Sequence, residues 1–148
     1  MFGRIVVGTD GSETASEAVR QATEMAKMTG AGLDIVSAFQ PVPQGRVRSE
    51  ALNAPGDVQD QINPREDVNL VLEAAAADAK KDGVGEVQTH AREGDPGEAI
   101  LDVAEEIKAD LIVVGNKGMT GARRFLLGSV PNNISHHAPC SVMIIQTT

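Results

Sequence analysis

Residues 3–39, GRIVVGTDGSETASEAVRQATEMAKMTGAGLDIVSAF, decide the fold. The first eight, GRIVVGTD, form a near-continuous apolar run of β-branched residues that ends in turn formers. That pattern is expected of a strand buried on both faces. After Gly11, in the seventeen residues 12–28, SETASEAVRQATEMAKM, a helical stripe places Ala15, Ala18, Ala22, Met25, Ala26 and Met28 together, with Met25 and Met28 expected as core filler. Ser12 has the side chain of an N-cap, and Thr29-Gly30 closes the helix with a residue that tolerates positive φ. LDIVSAF, 33–39, then reads as a second strand. A strand, a helix and a strand in this order make a parallel pair joined by a crossover.

The same alternation continues to the end of the chain. Residues 40–63, QPVPQGRVRSEALNAPGDVQDQIN, carry no period and read as a long loop within the domain. Asn63-Pro64 opens a helix as cap and first helical residue, and Gly83 ends it. EVQTHARE alternates as a strand. Asp95, Pro96 and Glu98 form a capping-box start to the helix DPGEAILDVAEEIKA. DLIVVGN is another buried strand. SVPNNISHH reads as a short helix with Pro131 confined to the first turn, and SVMIIQ, 141–146, is the last strand. Five strands with helical crossovers imply an α/β fold: a single domain over 1–148, Rossmann-like and doubly wound, with a five-stranded parallel sheet and helices on both faces. Ligands in such sheets sit beyond the carboxyl ends of the strands. Here those ends are Gly8–Ser12, Ala38–Gln40, Glu93–Asp95 and Gly115–Gly118.

A chain of 148 residues is long enough to bury one sizeable core without staples. No apolar run approaches the length of a membrane span, and MFGRIVVGTDG lacks the layout of a signal peptide. The single cysteine, Cys140, has no internal disulfide partner. These features lead to the expectation of a cytoplasmic protein. A net charge of −8 argues against nucleic acid or an anionic membrane as the main partner.

The charge is unevenly distributed. All 21 acidic residues and ten of the basic ones fall within residues 1–110, a net of −11, whereas 111–148 hold Lys117, Arg123 and Arg124 and no acid. Within that basic tail lies GNKGMTGARRFLLGSV, 115–130, with four glycines. Glycines let backbone N–H groups approach and face a ligand, and a helix opening at Ser129 adds N–H groups and a positive dipole end. An anion, and phosphate in particular, fits such a segment. The segment is neither a Walker A loop, since no Gly-Lys-Ser/Thr closes it, nor the dinucleotide fingerprint, which would follow the first strand.

Three stretches together carry a resemblance: VVGTDGSE near the start, ADLIVVGNKG leading into Gly-x2-Gly-x9-Gly-Ser, and HHAPCSVMII at the end. Over essentially its whole length the chain resembles the universal stress protein family, and the glycine spacing resembles its ATP-binding branch. The resemblance implies ATP as ligand, with Mg²⁺ or Mn²⁺ on the phosphates. It places Asp10 on the ribose, Thr9 and Ala38 at the adenine, and Gly115 beside the ribose. It gives Gly118, Gly128, Ser129 and Val130 the phosphates. It also implies a homodimer joined through the last strand, 141–146. The chain departs from the family pattern where Pro131-Asn132-Asn133 follows Val130, since better helix formers usually start that helix.

Some of these residues also fit other roles. Asp10 doubles as a turn former in Thr-Asp-Gly. His136, His137 and Cys140 invite zinc, but adjacent histidines point to different sides of a helix, and a half-buried packing role is expected instead. Three Phe without Tyr or Trp do not furnish the aromatic stack of a flavin site. The acid cluster after the first strand and the lysine after the fifth that a phospho-receiver needs are missing from this sequence. No residue stands out as catalytic and none as a dedicated metal ligand. The expected function is an ATP-binding regulatory or stress-response module read by a protein partner. A slow ATP hydrolase and a nucleotide-free dimeric interaction protein are the alternatives.

Overall fold

The computed structural model describes residues 2–40, 65–116 and 129–147. The long loop from 41 onward, the Asn63-Pro64 helix start and the segment from Lys117 to Gly128 lie outside the described residues. Five strands, β1 (Arg4–Gly8), β2 (Gly32–Phe39), β3 (Val87–Glu93), β4 (Leu111–Gly115) and β5 (Ser141–Ile145), form one parallel sheet in the order β3-β2-β1-β4-β5. Among the described residues four helices accompany them: α1 (Glu13–Thr29), α2 (Arg65–Lys81), α3 (Pro96–Glu106) and α4 (Ser129–His137). This is the doubly wound α/β architecture read from the alternation of elements.

Each central strand feeds two cores because successive side chains point to opposite faces. Ile5 and Val7, Leu33 and Ile35, and Leu111 and Val113 meet Ala18, Ala22 and Ala26 of α1 and Val68, Leu72 and Ala79 of α2. On the other face Val6, Val36, Ile112 and Val114 meet Ala99, Ile100 and Val103 of α3 and Ile134 of α4. The alanine stripe lets α1 lie close to the sheet.

Among the described residues the caps expected at Ser12, Asp95 and Gly30 form, with the Glu98 carboxylate turned to Asn133. Ser12 Oγ accepts from Ala15 N at 3.2 Å, Asp95 Oδ2 accepts from Glu98 N at 3.1 Å, and Gly30 closes α1 at φ 74°. Two expectations need correction. Met28 is 79% exposed rather than core filler, while Met25 does pack against the core. Two residues beyond Ala26, Met28 is rotated by about 200° and so leaves the buried stripe. His136 and His137 are exposed rather than half-buried. In α4 the core positions go to Pro131 and Ile134, which leaves the last turn to solvent.

The departure at Pro131-Asn132-Asn133 does not prevent α4 from forming. Pro131 stands in its first turn, where the missing N–H costs no helical bond. Asn133 Nδ2 donates to Glu98 Oε1 at 3.3 Å, tying α4 to α3.

Candidate functional site

Chain order reverses between β1 and β4. From β1 the chain winds outward to β2 and β3, and from β4 it winds the other way to β5. The chain thus passes from β1 to one side of the sheet and from β4 to the other, and a crevice is expected at their carboxyl ends. A cavity of about 210 Å³ lies there.

Its wall draws on separated parts of the chain. Gly8, Thr9 and Asp10 come from the end of β1, and Val36, Ser37 and Ala38 from the end of β2. Asp95, Pro96 and Ile100 belong to the start of α3, Val114 and Gly115 to the end of β4, and Ser129, Val130 and Pro131 to the first turn of α4. Of the eight residues singled out in the sequence, Thr9, Asp10, Ala38, Gly115, Ser129 and Val130 are thus brought together. Gly118 and Gly128 lie outside the described residues, as do Lys117, Arg123 and Arg124.

The turn after β1 is held by its own side chains. Thr9 N donates to Val36 O at 2.9 Å, Gly11 N to Thr9 Oγ1 at 3.1 Å, and Ser12 N to Asp10 Oδ1 at 2.8 Å. Asp10 therefore does shape the turn. Its other oxygen, Oδ2, accepts no hydrogen bond among the described residues. At Gly8 a Cβ would collide with Cδ1 of Ile100, so the absence of a side chain lets α3 close over the end of β1.

Sequence reading missed Ser37 and Ile100. Both sit inside elements whose hydrophobic pattern explains them without a site, and only the position of their element over the crevice reveals them. Asp95 was read as a cap, and it also lines the cavity.

Chemically the wall combines an apolar side, formed by Val36, Ala38, Ile100 and Val114, with acceptors on Asp10 and Asp95 and the N-terminal turn of α4. Helix N-termini carry a positive partial charge and N–H groups directed outward. Such a wall suits a ligand with a flat apolar ring, hydroxyl donors and an anionic end.

Among the described residues no three His, Cys, Asp or Glu side chains converge on a metal position. Cys140 is half-buried, and burial first, then the charge of Asp110, pushes its thiol pKa up, the opposite of what an activated nucleophile needs. No helix among the described residues is long and apolar enough to cross a membrane.

Comparison with known proteins agrees with the architecture. The model of the universal stress protein family matches residues 1–146. A universal stress protein of Mycobacterium tuberculosis is 35% identical over 147 residues, covering 99% of this chain and 98% of its own length. A solved universal stress protein in complex with cAMP has a TM-score of 0.76 at 33% identity, covering 99% of both chains. The universal stress protein from Archaeoglobus fulgidus in complex with dAMP has a TM-score of 0.69 at 26% identity, covering 97% of this chain and 98% of that one. The glycine spacing, the strand order and these matches agree, and the chain belongs to the universal stress protein family.

Proposed function

We propose that the crevice binds an adenine nucleotide, with ATP as the working ligand, and that the chain acts as a nucleotide-dependent regulatory module of the stress response. The observation that carries this reading is the convergence of Thr9, Asp10, Ala38, Gly115, Ser129 and Val130, from four parts of the chain, on one cavity at the sheet's switch point. Adenine would lie against Val36 and Ala38, the ribose hydroxyls would donate to Asp10 Oδ2, and the phosphates would face the first turn of α4. Gly118 and Gly128 would complete the phosphate side with backbone N–H groups, on the strength of the family spacing. Mg²⁺ or Mn²⁺ would be carried in on the phosphate oxygens, since no cluster of protein ligands awaits it among the described residues.

Chromatography of the nucleotide released when freshly purified protein is denatured tests the reading directly. ATP should be the adenine species found, and ATP at one hundred times its dissociation constant should stabilise the fold by about 2.7 kcal/mol. Gly128→Val should abolish that gain. An unchanged gain in Gly128→Val, or no binding of any adenine nucleotide, would overturn the assignment.

A second reading has its own support. Related proteins are solved in complex with cAMP and dAMP, each of which carries one phosphate, and the first turn of α4 at the cavity wall would serve a single phosphate as it would the first of three. Competition between ATP and cAMP on the same preparation separates the two.

In this reading the chain acts as one nucleotide-binding domain and pairs with a second copy through β5. That strand is the sheet edge, and Val142, Met143, Ile144 and Ile145 on it are only half-buried. Soluble proteins cover such edges. Light scattering should give twice the chain mass of 15.5 kDa, and Met143→Lys should reduce it.

A further inference from the structure

Asn116 is the first residue beyond β4, and it is held in three ways. Its backbone N–H donates to Ile145 O at 2.9 Å. Its Oδ1 accepts both the backbone N–H and the hydroxyl of Thr147, each at 2.9 Å. Gly115, the residue before it, pairs with Ile145 in the β4–β5 ladder and lines the cavity. The ladder therefore does not stop where the strands stop. One side chain carries it a step further, to the residue two positions past the end of β5.

We infer that Asn116 is a positioning residue for the cavity, and that through it ligand affinity depends on the C-terminal end of β5. This rests on the nucleotide reading given above. The chain that leaves β4 after Gly115 comes back to the same cavity at Ser129, Val130 and Pro131. Two donors from one residue, converging on one acceptor oxygen, fix the direction of that side chain as well as its distance. Asn116 keeps both bonds only within a narrow range of its own backbone angles, so Thr147 in effect holds the Gly115 wall of the cavity in place. Asn116 is not among the residues that line the cavity and acts through Gly115, which is. β5 is the edge strand, so a second copy pairing there, or any displacement of its end, would act on Thr147 and pass through Oδ1 to the cavity.

Calorimetric titration of the full chain with ATP, alongside melting of each unliganded variant, tests this. Thr147→Pro removes the N–H and the hydroxyl together without changing chain length, and Asn116→Ala removes the shared acceptor. Each should weaken ATP binding about tenfold, as expected for two lost hydrogen bonds of ordinary strength. The double variant should be no weaker than either single one, because both act through the same contact. Thr147→Ser keeps both donors and should bind like wild type, and Thr147→Val keeps one and should fall between.

Losses that multiply to about a hundredfold in the double variant would overturn the proposal. So would single variants that melt earlier yet bind ATP within about twofold of wild type, because Asn116 would then only anchor the strand. Absence of ATP binding in the wild-type chain would instead sink the nucleotide reading, and this inference with it.

Discussion

Arg4 and His90 both end on the carboxylate of Asp34, a residue with no exposed surface. Arg4 Nη2 lies 2.6 Å from Oδ1, and His90 Nε2 lies 2.7 Å from Oδ2. Asp34 stands near the start of β2, on the α3 face of the sheet, at the opposite end from the cavity. A second Arg4 nitrogen, Nη1, reaches Glu86 at 2.9 Å. The cluster thus links β1, β2 and β3 through one buried charge.

Removing that charge leaves two cationic or polar groups facing a void. Asp34→Ala should cost about 3 kcal/mol, toward the lower end for a broken buried pair because Arg4 and His90 both retain some access to water. Denaturant unfolding of the two proteins measures the difference. A loss below about 0.5 kcal/mol would mean that the pairs offset only their own desolvation.

The strand–helix alternation, the caps and the order of the crevice residues were legible in the sequence because each rests on local chemistry: β-branched runs, Ser12 and Asp95 ahead of helices, and Gly30 behind one. The Asp34 cluster was not. An aspartate inside the apolar run of LDIVSAF reads as an interruption, and its partners Arg4 and His90 lie 30 and 56 residues away. Ile100 was hidden for the same reason. Its neighbour at the floor of the cavity is Gly8, and no periodicity links the two. Met28 misled because a generous stripe on α1 admitted one residue too many.

Gly8 and Ile100 give a second test. A methyl group at Gly8 meets the outer end of Ile100, which can turn aside, so Gly8→Ala should cost only about 1 kcal/mol, the low end for overpacking. Ile100 lines the cavity, so displacing it should take ligand space, and ATP affinity should drop more than stability does. Ile100→Ala placed in the same chain should restore binding at least in part. If affinity stays low when that space is returned, the effect of Gly8→Ala is on the β1 backbone and not on the cavity.

Acid should weaken the fold in a window set by two carboxylates. Glu17 is lowered to about 2 by its hydrogen bonds from Arg20 and then Gln21. Asp110 is lowered by the backbone N–H groups of Gly3 and then Arg4, which reach its Oδ2 at 2.8 and 3.0 Å. Both folded values lie below the unfolded ones. Their contribution is therefore complete above the ordinary carboxylate range and is lost as pH falls from about 4.5 toward 2. Both groups are exposed, so salt should blunt the effect. Melting temperature against pH should fall less steeply across that window in Asp110→Asn than in wild type. Identical slopes would remove Asp110 from the account.

Hydrolysis of bound ATP should be very slow. Cutting the terminal phosphate requires a group that orients or deprotonates a water in line with it. Among the described residues the cavity offers only two carboxylates. Asp10 has one oxygen on Ser12 N and, in the proposed binding mode, would give the other to the sugar, and Asp95 accepts from Glu98 N as the cap of α3. His136 and His137 lie at the far end of α4, about 10 Å along the helix from Ser129 at 1.5 Å per residue. The Nδ1 of His137 already faces Asn133 O at 3.0 Å. From Leu111 onward the sequence contains no acid at all. A site that neutralises phosphate charge without a positioned base retains its nucleotide. Turnover should be at most a few events per hour, far below the ~1–100 s⁻¹ of kinases. A single-turnover assay with radiolabelled ATP and Mg²⁺ measures it. A rate near one per second that disappears in Asp95→Asn would make the protein a hydrolase and assign Asp95 as the base that the cap geometry argues against.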